Sequence, residues 1–176
     1  QLVCESKRAW HAGRSFWAGE TDINSRSIGI ELDNRGDHPF SNKQMRALIA
    51  LCGDIAGRNN IPAHRVLGHS DVAIGRKTDP GARFDWRRLA LSGVGVWPDL
   101  KTWHLNEAVE MDTVMGKDDP RLCAQFVKQA ADYGYDPSLG VEQILSSLRQ
   151  HFAPHRSGPL SRFDFALLAA LNALCN

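Results

Sequence analysis

Residues 27–34, Ser-Ile-Gly-Ile-Glu-Leu-Asp-Asn, alternate apolar and polar positions. The period of two predicts a β-strand with Ile28, Ile30 and Leu32 on one face and Gly29 and Glu31 on the other. Gly29 has no side chain, which leaves room beside Glu31. From Ser41 the period lengthens. Met45, Leu48, Ile49, Cys52 and Ile55 make the apolar stripe of a helix, Ser41 and Gln44 form an S-x-x-Q capping box, and Gly57 with the following Asn pair supplies the stop. A short apolar run, Val66-Leu67-Gly68, leads into a loop. A further helix is predicted from Asp85, its cap, to Gly93, its stop. Alternating strand and helix predict an α/β fold with a central mixed β-sheet flanked by helices.

The pattern changes after "SGVGVWPDL", residues 92–100, which reads as a linker. One amphipathic helix is predicted to start at Pro120 and end near Gly134. A second covers "VEQILSSLRQHF", and a third is announced by Ser161 and Asp164. These predict a small C-terminal three-helix bundle, too small to be very stable alone and expected to lean on the first part. The expected division is a catalytic domain over 1–93, a linker over 94–113 and the helical domain over 114–176.

Composition narrows the possibilities. Of 176 residues, 43% are hydrophobic, enough for a real core. The net charge of +1 makes no electrostatic case for nucleic acid or an anionic membrane surface. No apolar run approaches the ~18 residues of a membrane span. The four cysteines are scattered without a C-x-x-C pair, so thiols are expected rather than a disulfide scaffold. A monomer is expected. The opening "QLVCESKRAWHAG" reads as if begun part-way through a strand.

The chemistry concentrates in "RVLGHSDVAIGRKTDPG", residues 65–81. His69 and Asp79 stand at its ends, with Lys77 two residues before the aspartate. Imidazole and carboxylate suit zinc, a nearby ammonium suits an oxyanion, and Glu31 on the clear strand face suits a general base. From spacing alone, surface hydrogen bonds and an Asp-Pro turn explain the loop better than a metal site does. His11 reads as a core histidine or a pocket wall. His64, His104, His151 and His155 read as surface or interdomain residues.

Four ordered stretches, "RAWHAG", "SIGIELDNRG", "GHSDVAIGRKTDPG" and "FDWRRLA", resemble the zinc-dependent N-acetylmuramoyl-L-alanine amidases, the amidase-2 family related to peptidoglycan recognition proteins. The tail, with "GVGVWPD", "YGYD" and "LRQHFAPH", is similar to the helical peptidoglycan-binding domain of the two-domain members. The resemblance implies His69 and Asp79 as zinc ligands and Glu31 as the acid/base acting on water. It implies Lys77 as the holder of the developing oxyanion, and Trp10, His11 and Asn24 as substrate-groove residues. The implied cofactor is Zn2+. The implied partner is peptidoglycan or a muropeptide, cleaved between N-acetylmuramic acid and L-alanine.

The family's remaining zinc ligand is a histidine in an "HYT"-like motif upstream of "AWHAG", and the chain has no such motif. The expectation is therefore the C-terminal portion of a longer enzyme, poor in metal by itself. The alternative is a non-catalytic muropeptide-binding module. The implied location is the periplasm or the outer-membrane side of the cell envelope, with the cytoplasm as the alternative.

Overall fold

The computed structural model describes residues 1–100 and 119–175. Short 3-10 turns occupy Ile23–Ser25 and Ala63–Arg65. The helices are α1 (Asn42–Asn59), α2 (His69–Val72), α3 (Trp86–Leu91), α4 (Pro120–Tyr133), α5 (Val141–Phe152) and α6 (Arg162–Ala173).

The expected α/β fold is corrected here, because the described residues contain no sheet. Their β pairing is confined to one isolated antiparallel bridge, Trp17 with Glu20. Residues 27–33 keep the alternation: Ile28, Ile30 and Leu32 are half-buried, while Gly29, Glu31 and Asp33 are exposed. No ladder forms on them. Alternation belongs to one extended segment, whereas a sheet needs a second segment about 4.7–4.9 Å away with matching donors and acceptors. The opening residues, read as strand-like, form turns, as in the Lys7 N–H bond to the Cys4 carbonyl at 2.8 Å.

The helices follow their local signals more closely. Ser41 Oγ accepts the Gln44 N–H at 3.2 Å, but the Gln44 side chain donates to the Asp33 carbonyl, so only half of the capping box forms. Gly57 lies inside α1, and the helix ends at Asn60, in the left-handed region with φ 53°. Met45 and Leu48 of α1 join Phe84, Trp86, Leu89 and Val94 in a smaller core, with Ile49 and Cys52 packed against it. Asp85 caps α3 by accepting the Arg88 N–H at 3.0 Å.

The larger core gathers α4, α5 and α6 around Phe126, Ile144, Leu148, Leu168 and Leu171, and takes in Trp17, Val72 and Ala73 from the first half of the chain. Trp17 meets Tyr133 and Tyr135 edge-on at 5.5 and 5.0 Å. Gly134, with φ 141°, ends α4 and also makes this contact possible. A Cβ there would stand 2.6 Å from the Trp17 ring. The three helices therefore bury apolar surface against the N-terminal half. Residues 101–113 of the expected linker, residues 114–118 of the expected helical domain, and His104 lie outside the described residues.

The chain's two tyrosines, Tyr133 and Tyr135, are both buried. Burial first, then the negative charge of Asp71, raises both phenols above their ordinary value of about 10. The folded state thus keeps protons that the unfolded state releases. The associated stability is complete below about pH 10 and is lost as pH rises further. An alkaline titration followed by phenolate absorbance should show neither tyrosine ionised at about pH 10, and both ionising together with loss of helicity. A smooth titration near pH 10 with helicity intact would contradict this burial.

Candidate active site

His69 is the first residue of α2, and Asp79 lies at the far end of the loop that follows. The Ser70 N–H donates to the Asp79 carbonyl at 2.9 Å and closes that loop. The two side chains meet, with His69 Nδ1 3.0 Å from Asp79 Oδ2. The imidazole is 17% exposed and the carboxylate 56%. At its other edge, His69 Nε2 donates to the Ala12 carbonyl at 3.2 Å. Nδ1 thus faces a carboxylate that only accepts, while Nε2 faces the Ala12 carbonyl and, at 3.5 Å, the Arg76 Nη2. A proton on Nδ1 satisfies this arrangement, and so does a cation shared between Nδ1 and the carboxylate.

The 3.0 Å spacing is that of an ordinary N–H···O hydrogen bond, and a small opening of the pair would admit the metal. Around tetrahedral zinc, with bonds of about 2.0–2.2 Å, two ligand atoms sit about 3.3–3.6 Å apart, within a few tenths of an ångström of the spacing here. Metal-bound imidazoles commonly donate their other N–H to a backbone carbonyl, which fixes the tautomer. A catalytic zinc site uses three protein donors. Among the described residues, no group of three His, Cys, Asp or Glu could hold a metal ion. The described residues thus supply two donors.

The Ala12 carbonyl that orients His69 is itself fixed. Arg76 donates to it through Nη2, and to the Arg14 carbonyl through Nη2 at 3.0 Å and Nε at 3.2 Å. The guanidinium lies against Gly13, where a Cβ would stand 3.0 Å from Nη2. From the other side, buried Asn24 accepts the N–H groups of His11 and Ala12 at 3.0 and 2.8 Å and donates to the Gly13 carbonyl at 3.4 Å. Asn24 thus acts on the backbone that carries His11.

His11 packs flat on the extended segment. A Cβ at Gly29 would lie 2.6 Å from the imidazole, so the room expected beside Glu31 holds this ring. Ser27 Oγ donates to the Ile23 carbonyl at 2.7 Å and accepts from His11 Nε2 at 2.8 Å. The proton therefore sits on Nε2. Nδ1 is left buried with a lone pair and no hydrogen-bond partner among the described residues.

His11, Gly29, Glu31, His69 and Asp79 line one cavity of ≈ 680 Å³. Its apolar side includes Leu48, Cys52 and Ile55 of α1. Burial raises the Cys52 thiol and keeps it protonated. Lys77 is exposed, and its ammonium makes no ion pair among the described residues. Trp10 is 79% exposed, with the Arg8 guanidinium 4.1 Å above its ring. The structure thus brings Glu31, His11, His69 and Asp79 to one cavity, leaves Lys77 and Trp10 exposed nearby in sequence, and buries Asn24 beneath.

Sequence reasoning passed over Asp71, Arg76 and His151. Asp71 and His151 are buried and paired at 2.8 Å between α2 and α5, so of the two expectations for His151 the surface one is corrected. A usable signal existed for His151: it shares one face of α5 with Gln143, Ser147 and Gln150, a polar stripe on a helix whose other positions are largely apolar.

Comparisons with known proteins identify the family. Residues 1–82 match the N-acetylmuramoyl-L-alanine amidase family model. The chain is 38% identical over 168 residues to N-acetylmuramoyl-L-alanine amidase AmiD of Escherichia coli, covering 88% of this chain and 59% of that protein. It is 46% identical over 89 residues to 1,6-anhydro-N-acetylmuramyl-L-alanine amidase AmpD of Enterobacter cloacae, covering 51% of this chain and 48% of that one. Among solved structures it is similar to E. coli AmiD in complex with anhydro-N-acetylmuramic acid-L-Ala-D-gamma-Glu-L-Lys. That match has a TM-score of 0.83 at 34% identity, over 97% of this chain and 70% of that one. AmpDH3 of Pseudomonas aeruginosa matches with TM-score 0.83 at 35% identity, over 98% and 72%. The chain belongs to the N-acetylmuramoyl-L-alanine amidase family. It spans 59% of the length of AmiD and about half that of AmpD.

Proposed function

We propose that this protein hydrolyses the amide joining the lactyl group of N-acetylmuramic acid to L-alanine, in peptidoglycan or muropeptides, as a zinc enzyme. The observation that carries the reading is the His69–Asp79 pair, 3.0 Å apart on a cavity that Glu31 also lines. It is supported by the family match and by the muropeptide seen with AmiD. His69 Nδ1 and Asp79 Oδ2 would hold the metal, with a further donor from outside the described residues. When bound, zinc polarises the carbonyl and lowers the pKa of water. Glu31 takes the proton from the attacking water and passes it to the departing amine of L-alanine. Lys77, two residues from Asp79, offers its charge to the oxyanion. Trp10 and His11 hold the substrate beside the cavity.

A second reading, a muropeptide-binding module without catalysis, is favoured by the two-donor count. Elemental analysis of the protein at its gene-encoded length separates them. The amidase reading predicts one zinc per chain, largely lost in His69→Ala and in Asp79→Ala. Zinc retained in both variants would remove the pair from the metal. A wild type that binds muropeptide without zinc would favour the binding module. We propose the cell envelope as its location, as the resemblance of its helical region to the two-domain members implies, with the cytoplasm as the alternative.

A further inference from the structure

One face of α5 grips the loop that carries His69 and Asp79. Gln143, Ser147, Gln150 and His151 follow the i, i+4, i+7, i+8 spacing of a single helical face. Ser147 Oγ donates to the Ser70 carbonyl at 2.9 Å, one residue after His69. Gln150 Nε2 donates to the Thr78 carbonyl at 2.7 Å, one residue before Asp79. His151 Nδ1 donates to Asp71 Oδ2 at 2.8 Å. The Gln143 amide lies against Gly75 at the loop's middle, where a Cβ would stand 3.0 Å from Nε2.

Asp71 is the hub. Its carboxylate is 1% exposed and also accepts the Gly68 N–H at 2.7 Å and the Tyr135 hydroxyl at 3.2 Å. The Gly68 bond sets the chain direction just before His69. The His151 ring is held by stacking on Trp86, with centroids 3.8 Å apart and planes 22° apart. A helix that only filled the core would show apolar residues on this face. Buried polar groups with several satisfied partners instead specify one arrangement.

We infer that α5 is a clamp that sets the spacing of His69 and Asp79, with His151, Gln150 and Asp71 as positioning residues. The helical region would then belong to the hydrolytic machinery as well as to any hold on cell-wall polymer. The inference deepens the amidase reading and rests on it for its functional consequence, while its structural consequence is measured without substrate or metal.

Two variants at one position separate clamping from packing. His151→Phe keeps a ring between Trp86 and Phe152 but loses the donor. His151→Asn restores an N–H near the Nδ1 position. Amide hydrogen exchange on the metal-free chain should show residues 68–80 exchanging about 10–100-fold faster in His151→Phe, the loss expected for a hydrogen bond to a charged group. The helices 120–133 and 162–173 should be unchanged, and His151→Asn should recover most of the loop protection.

Gln150→Leu, at the half-buried part of the stripe, should loosen the Thr78 end alone and serves if His151→Phe fails to fold. Loop exchange unchanged in both His151→Phe and Gln150→Leu would overturn the clamp. So would loop and bundle loosening equally, without rescue by His151→Asn. With anhydro-muropeptide as probe, kcat should fall in His151→Phe with KM nearly constant. A wild type with no turnover sinks the amidase reading and leaves the exchange result to judge the clamp.

Discussion

Glu31→Ala lowers turnover of a muropeptide by about 10²–10⁴-fold while zinc stays bound. Glu31 is exposed on the alternate face of residues 27–33 and lines the cavity that His69 and Asp79 share. It is not one of the two donors, so its removal takes away a proton acceptor and leaves the metal in place. Steady-state cleavage with parallel zinc analysis checks this. Activity within a few-fold of wild type would remove Glu31 from the mechanism, and loss of zinc with activity would make it a ligand.

The largest expected effect on stability lies between α5 and α6. Arg149 donates through Nε and Nη2 to the two oxygens of Asp164, at 2.8 and 2.7 Å, and also to the Gly158 and Pro159 carbonyls. Asp164 has no exposed surface and also accepts from the backbone and hydroxyl of Ser161, closing the N-terminus of α6. Removing one partner strands a buried charge, which costs about 3–5 kcal/mol. The exposed Lys128–Asp132 pair on α4 is 2.7 Å long, yet solvent screening limits such i, i+4 pairs to about 0.3–0.5 kcal/mol.

Arg149→Leu should therefore remove about 3–5 kcal/mol of a typical domain's margin of about 5–15 kcal/mol and lower the urea midpoint in proportion, while Lys128→Ala should hardly move it. Equal small losses in the two variants would show that the buried pair is not what holds α5 to α6. Replacing Arg149 and Asp164 together by apolar residues should recover part of the loss.

Local chemistry was legible in the sequence and long-range chemistry was not. Asp85, Pro120, and the Ser161–Asp164 box mark their helix starts where the structure has them, because a cap is decided within four residues. The sheet failed for the opposite reason. Residues 27–33 alternate as a strand does, but pairing depends on a segment that the alternation does not specify. His69 and Asp79 are joined by the Ser70–Asp79 backbone bond, which spacing alone does not reveal, and it was the resemblance that pointed to them. Asp71 and His151 are 80 residues apart, and their partnership follows from how α5 packs on α2. The polar stripe of α5 marks His151 in the sequence, but only that packing supplies its partner.

The central claim is tested most directly by identifying the bond broken. Anhydro-N-acetylmuramic acid-L-Ala-D-gamma-Glu-L-Lys is incubated with the gene-encoded protein and zinc in water enriched in oxygen-18, and the products are weighed by mass spectrometry. Amide hydrolysis at the lactyl carbonyl predicts free tripeptide with an L-alanine amine, unlabelled, and anhydro-N-acetylmuramic acid carrying one labelled oxygen in its new carboxylate. An intact muropeptide, a label in the peptide, or the same products from His69→Ala would contradict it.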